Sequence, residues 1–266
     1  MTEGSAVRRD TRIFRTFVER ELPDGRVERW ASRLARKSAI VNGRAAANTW
    51  WDPRARGWWI GVLFAIGSSL FAIGTVPAYV SAVGRFDAMT FFIGSLFFTA
   101  AGFLQYRESV DSGSSGPQHG WAKVLVFRPG QIDWIASAVQ LAGTLWFNVS
   151  TANAMKQALS VSEQNHHVWR PDALGSICFL VASTLAWVEV SHGWWSFSPR
   201  SFSWWITLLN LVGSIAFGIS ALEAHVLSSN ELRNAHIANL GTFIGAICFL
   251  IGAVLLLPER TRSPAT

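Results

Sequence analysis

The sequence predicts an all-α, polytopic integral membrane protein with six transmembrane helices built from three tandem helical hairpins. Three observations predict it. Charged residues make up only 15% of the 266, against roughly 25% in soluble domains. Those charges cluster, leaving long intervals that carry none: Arg56 to Arg85, Asp87 to Arg107, Asp133 to Lys156, Asp172 to Glu189, Arg200 to Glu223 and Arg233 to Glu259. And a nonapeptide recurs, as GSICFLVAS at 175–183 and GAICFLIGA at 245–253. A buried soluble core is the competing account of apolar helices. It needs amphipathic helices around it, and after residue 57 almost none are left.

Residues 1–56 read as a basic tail with thirteen Arg and Lys and no apolar leader region. On either side of the turn-like PDG at 23–25, Ile13, Phe14, Phe17 and Val18 share one helical face, and Val27, Trp30, Ala31 and Leu34 share another. Arginines fill the opposite faces, the pattern of interfacial helices on an anionic leaflet. Anionic lipid is therefore the expected partner of the tail. Nucleic acid is not, because the tethering membrane already offers phosphates. Residues 38–49 read as a flexible connection.

A helix needs roughly 20 largely apolar residues to cross the hydrocarbon core. The charge-free intervals predict helices over about 58–82, 87–107, 132–153, 172–191, 202–223 and 237–258. The fourth is short and borrows Glu189, Val190 and Ser191 at the interface. These pair into hairpins at 57–108, 131–190 and 202–259, with a short tail at 260–266 and a polar connection at 111–120. If the N-terminus is cytoplasmic, 19 of the 23 Lys and Arg lie on that side. This bias predicts both termini inside and a multi-pass protein of the cell membrane. Ten of the fourteen tryptophans fall near the inner helix ends, as an aromatic belt would.

The nonapeptide repeat extends beyond itself. A shift of 70 carries Trp134 to Trp204, Gly143 to Gly213, Thr144 to Ser214, Phe147 to Phe217, Gln140 to Asn210 and Glu189 to Glu259. A shift of 76 carries Trp58, Gly67, Ser68 and Phe71 to Trp134, Gly143, Thr144 and Phe147, and a shift of 81 carries Gly94, Phe98 and Glu108 to Gly175, Phe179 and Glu189. The five-residue difference is a shorter outer loop. Three parallel hairpins invite a pseudo-threefold arrangement about the membrane normal. Cys178 and Cys248 lie within the repeated stretch as small packing residues. The phrases AIGSSLFAIG, FIGSLFFTAAG and GAVLLLPE resemble the YrhK-like membrane domain family. That resemblance implies a two-helix membrane unit and transfers no functional residues.

Two sets of residues are candidate sites. Gln140, Asn148 and Asn210 are intramembrane amides, costly unless paired. They are expected to face the bundle interior, with Gln140 and Asn210 bonding each other or lining a polar path. Glu108, Glu189 and Glu259 close the second helix of each hairpin. Carboxylates are unfavourable at a helix C-terminus. Three of them predict either pairing with Arg107, Arg260 or the tail, or a carboxylate ring at a pore mouth. Alternatively, they only mark where lipid ends. The outer loops hold Glu163, His166, His167, Glu223, His225 and His236, whose spacing fits no closed zinc pattern. No phosphate-binding loop, nucleophile elbow or dinucleotide fingerprint is present in the sequence, so no cofactor, metal or catalytic residue is expected. The reading is therefore non-enzymatic: passage of a small solute or ion between the hairpins, or a membrane scaffold or regulator anchored by the tail. The bilayer and a second copy of the chain are the remaining expected partners. A membrane enzyme or sensor using the outer His and Glu residues is the third class.

Overall fold

The computed structural model describes residues 50–76, 86–112, 126–156, 159–191 and 197–259, and the backbone of 7–9, 17–21 and 27–31. Long helices dominate: α1 Arg56–Gly74, α2 Phe86–Ser112, α3 Ile132–Ala154, α4 Arg170–Ser191, α5 Phe202–Glu223 and α6 Ala235–Glu259. α4 is extended backward by one helical turn, Val161–Glu163, and a π-helical segment, Gln164–Trp169. That extension supplies the length that the fourth charge-free interval lacks. Five of the helices are long and apolar enough to cross a membrane. α3 has comparable length but is more polar, with Ser137, Gln140, Thr144, Asn148, Ser150, Thr151 and Asn153 along it. α1 ends at Gly74, with Thr75 as its C-cap, short of the expected residue 82, and residues 77–82 lie outside the described residues, as does the 111–120 connection beyond Ser112.

The tail departs from expectation. Where amphipathic helices were expected, Val7–Arg9, Phe17–Glu21 and Val27–Ala31 are strands β1 to β3 of an antiparallel sheet in the order β1-β2-β3. The register sets Arg8 opposite Glu19, Glu19 opposite Arg29 and Arg20 opposite Glu28 along the ladder. The five residues between β2 and β3 are LPDGR, with the proline, aspartate and glycine that turns favour. The rest of residues 1–49 lies outside the described residues.

Each helix packs against its neighbours in the chain, and α6 returns to α1, so the helices close into a ring. The ring is built on small residues. A Cβ added to Gly67 would lie 3.0 Å from the Gly94 carbonyl oxygen, one on Gly143 3.2 Å from that of Gly175, and one on Gly213 3.1 Å from that of Gly245. At each crossing the two backbones nearly touch, which only glycine permits. The thiol-bearing carbons of Cys178 and Cys248 sit at two of these crossings, and both cysteines are free.

The start of α1, α3 and α5 recurs too. Ala55, Gln131 and Ser201 donate backbone N–H bonds to Asp52, Arg128 and Ser198 at 3.0, 3.1 and 2.9 Å. Trp51, Phe127 and Phe197 meet Trp58, Trp134 and Trp204 edge to face at 5.0, 5.5 and 5.5 Å. This end of the ring is called the tryptophan end below, and the opposite one the loop end.

Around a buried apolar core, large apolar side chains also face outward. Ile66, Leu96, Leu145, Ile177, Ile215 and Ile251 are exposed, one from each helix, whereas Ser68, Ser95, Thr144 and Ser214 are fully buried. Large apolar surface on every helix suits lipid tails rather than water.

Candidate functional site

Six phenylalanines fill the axis of the ring in two layers. Phe71, Phe147 and Phe217, from α1, α3 and α5, form one triangle with ring centroids 6.3, 6.0 and 6.0 Å apart. Phe98, Phe179 and Phe249, from α2, α4 and α6, form the second, at 6.1, 6.1 and 5.8 Å. The layers interlock through Phe71–Phe98, Phe147–Phe179 and Phe217–Phe249 at 5.4, 5.3 and 5.5 Å. All six are buried, and the gap between them and Ser95 is about 10 Å³. Aromatic pairs at these spacings each add about 0.5–1.5 kcal/mol beyond area burial. The glycine crossings position them: the Phe71, Phe147 and Phe217 rings lie where a Cβ on Gly94, Gly175 or Gly245 would stand, at 2.9, 3.1 and 2.6 Å.

On the tryptophan side of this plug the axis opens into a cavity of about 80 Å³ to which all six long helices contribute. Phe98, Phe179 and Phe249 form its floor, and Gln105, Gln140, Asn210, Asp133 and Glu189 its polar wall. The wall is asymmetric. Phe64 occupies the level held by Gln140 in α3 and Asn210 in α5, and stands edge-on to Phe98 at 5.5 Å. Gln140 does not bond Asn210. It accepts from Gln105 Nε2 at 3.3 Å. Asn210 reaches toward α6, with its Oδ1 3.1 Å from the point a Cβ on Gly252 would occupy.

The third expected amide, Asn148, lies outside this cavity. Its Nδ2 donates to Thr99 Oγ1 at 2.8 Å between α3 and α2, and its buried Oδ1 accepts no hydrogen bond from the described residues. The hydroxyls after the mid-helix glycines divide. Thr144 bonds the Leu141 carbonyl at 2.7 Å, Ser214 bonds the carbonyls of Asn210 at 2.8 Å and Phe179 at 3.2 Å, and Ser68 has no partner among the described residues.

Glu108, Glu189 and Glu259 are all buried, at 1, 5 and 3% exposure, and none lacks a partner. Glu189 lines the cavity. Glu259 accepts a hydrogen bond from Ser203 Oγ. Arg107 pairs with Asp111 at 3.5 Å, and Asp111 pairs with Arg56 at 2.5 Å, tying α2 to α1. The tryptophans are not a simple belt. Trp58, Trp187 and Trp204 are buried, while Trp59 and Trp205 are exposed yet donate to the carbonyls of Pro53 and Pro199, both at 2.9 Å.

At the loop end the outer His and Glu residues serve other contacts. Glu163 closes a capping box with Ser160, Glu223 lies 3.7 Å from Arg233, and His225 stands edge-on to Trp169 at 4.7 Å. No three His, Cys, Asp or Glu converge on a metal-sized point among the described residues.

The structure brings Gln140, Asn210 and Glu189 to one cavity, whereas sequence reasoning paired Gln140 only with Asn210 and grouped Glu189 with Glu108 and Glu259. That reasoning missed the phenylalanine plug, Gln105 and Asp133. The repeat alignment was the available signal for the plug, since it sets Phe71, Phe147 and Phe217 in register. No protein-family model matches the chain, and no curated protein or solved structure is significantly similar to it.

Proposed function

We propose that the chain is a non-enzymatic multi-pass membrane protein that binds a small solute in the axial cavity and passes it when the phenylalanine plug parts. The observation that carries this reading is the placement of a polar cavity directly on an apolar constriction, both on the axis of a closed ring of helices. Apolar constrictions of this kind gate by excluding water. The recurrence of contacts at shifts of 76 and 70 supports three hairpins descended from one two-helix unit, the kind of unit the YrhK-like resemblance implies. The positive-inside bias supports a cell-membrane protein with both termini, and so the cavity end, facing the cytoplasm. In this orientation Glu189 lines the cytoplasmic side of the cavity.

The test is flux in reconstituted vesicles. Replacing Phe98, Phe179 and Phe249 together with Ala should raise passage of potassium, choline or glycerol at least tenfold over the wild-type chain. Absence of flux for every solute, in a variant shown to be folded, would end the passage reading. The scaffold reading has its own observation, the near-complete packing of the axis, and it predicts that same silent outcome.

A further inference from the structure

We infer that the seam between α1 and α6 is a lateral portal, through which the axial cavity exchanges a small uncharged amphiphile with the hydrocarbon of the bilayer. The portal rests on the cavity being a ligand site, and adds the route in and the class of molecule that takes it.

The three hairpins meet at three seams, and hydrogen bonds hold two of them. Between α2 and α3, side chains pair at successive levels: Ser95 with Thr151 at 3.0 Å, Thr99 with Asn148 at 2.8 Å, Gln105 with Gln140 at 3.3 Å and Ser109 with Ser137 at 2.8 Å. Between α4 and α5, Ser176 and Ser214 donate to the carbonyls of Phe217 and Phe179 at 3.5 and 3.2 Å, and Trp169, just before α4, donates to that of Ala221 at 2.8 Å. Among the described residues no hydrogen bond joins α1 to residues 235–257 of α6. Parting either of the first two seams strands hydroxyls and amides in hydrocarbon, where an unpaired polar group is costly. Parting the third breaks no hydrogen bond, and the lipid tails that replace the lost contacts are as apolar as the helices. No loop ties this pair together either, since α1 and α6 are the first and last of the long helices.

Ser68 marks the same seam independently. A Cβ on Gly61 would meet the Ala253 carbonyl oxygen and Leu257 of α6. Ser68 follows seven residues later in the chain, two turns along that face. The repeat carries it to Thr144 and Ser214, whose hydroxyls are bonded. Ser68 Oγ is fully buried and has no partner among the described residues. A buried hydroxyl left unpaired disfavours the state that buries it. Once the seam parts, the hydroxyl is free to turn to the carbonyl four residues back.

The seam leads to the cavity. Phe64 of α1 and Gly252, Ala253 and Leu256 of α6 line it, a stretch of wall whose side chains carry no polar group. A molecule entering here comes from hydrocarbon, so the route itself excludes a charge. Inside, Phe64, Ile206 and Leu256 suit an apolar body. Asn210, whose amide makes no hydrogen bond among the described residues, suits one polar end. The volume of about 80 Å³ holds about five to eight waters, or a molecule of that many heavy atoms. A six-carbon alcohol fits both the size and the route.

The experiment is distance measurement by pulsed electron spin resonance on the full chain in lipid nanodiscs. Cys178 and Cys248 are replaced by Ala, and nitroxides are placed at exposed positions beside each seam: Ile66→Cys with Ile251→Cys, Leu96→Cys with Val149→Cys, and Ile177→Cys with Ile215→Cys. The probe is 1-hexanol, with glycerol as the comparison. Hexanol should raise a longer-distance population of the first pair about threefold or more and leave the other two pairs unchanged. Glycerol should change none of them. Ser68→Ala removes the unpaired hydroxyl and should lower the longer-distance population about threefold. A first pair that ignores hexanol, or three pairs that respond alike, overturns the portal even if Ser68→Ala fails to fold. A folded Ser68→Ala chain with an unchanged population overturns it too. Vesicle flux of potassium, choline and glycerol separates the portal from passage through the plug. A responding seam without flux leaves the portal standing and removes passage. Flux with an unresponsive seam leaves passage standing and removes the portal.

Discussion

A glycine in a helix interior costs about 1 kcal/mol relative to alanine, so each one at a helix crossing has to be offset by close packing. Gly245 is the sharpest instance. Its missing Cβ would stand 2.6 Å from the Phe217 ring and 3.0 Å from the Gly213 carbonyl oxygen. One of these is backbone and cannot give way. Gly245→Ala should therefore lower stability by about 1–2 kcal/mol, overpacking outweighing the gain in helix propensity. Gly218, one turn from Ser214 on the same α5, has nothing within 4 Å of its Cβ position. Gly218→Ala should be neutral or stabilise by up to about 1 kcal/mol. Thermal unfolding in detergent, followed by circular dichroism, reads both. Gly67, Gly143 and Gly213 were legible in the sequence as packing residues because they recur with a hydroxyl beside them. The phenylalanines they admit were not. In helices apolar on every side, hydropathy does not separate a ring facing the axis from one facing lipid, and only the repeat register marks the axial ones: Phe103 is exposed whereas Phe98, five residues earlier, is buried.

Elements were legible where charge bounded them and obscure where it did not. The six charge-free intervals foretold helices over 132–154, 202–223 and 235–259 to within two residues. Two kinds of element escaped. In the tail, arginines and glutamates spaced for a helix face also alternate as a strand requires, and only pairing partners decide between them. Before α4, the charge-free interval begins only after Asp172, yet the helix runs on through Pro171, which lacks an N–H and clashes with the carbonyl four residues back. The π-helical segment Gln164–Trp169 widens the helix at that point. Segments of this type often mark functional positions, and this one clasps the loop after α5. Asn165 Nδ2 donates to the Val226 carbonyl at 2.8 Å while its Oδ1 accepts from the Val226 N–H at 3.0 Å, and Trp169 Nε1 donates to the Ala221 carbonyl at 2.8 Å. Asn165→Leu removes both amide bonds at a cost of about 1–3 kcal/mol. Hydrogen exchange at the Val226 amide should then accelerate at least tenfold. Protection in the middle of α5 and α6, which hold each other through Gly213 and Gly245, should stay unchanged. Uniform acceleration across the chain would mean that the clasp supports the whole ring rather than one loop.

For the whole molecule, the axis exists only because the ring closes: α6 returns to α1. Chain order alone permits a row of three hairpins as readily as a ring. In a row the cavity would lose the wall between α6 and α1, and Phe71 and Phe217 would not meet. The observed geometry is specific. A Cβ on Gly61 in α1 would lie 2.8 Å from Leu257 Cδ2, 3.4 Å from its Cγ and 3.0 Å from the Ala253 carbonyl oxygen in α6. Disulfide formation needs Cβ atoms about 3.5–4.5 Å apart, a distance these neighbours can reach with a small adjustment. In a background where Cys178 and Cys248 are replaced by Ala, Gly61→Cys with Leu257→Cys should crosslink rapidly under mild oxidation and migrate faster on a denaturing gel, because the bond joins the first long helix to the last. Gly218→Cys with Leu257→Cys should not, since Gly218 has open space around it. A control bond of equal yield would mean random collision. Failure of the Gly61 pair, with the chain folded, would open the ring, and the cavity would then become a cleft facing lipid. A ligand site would survive that change more readily than a gated path would, because a cleft can hold a ligand but cannot seal one side of a membrane from the other.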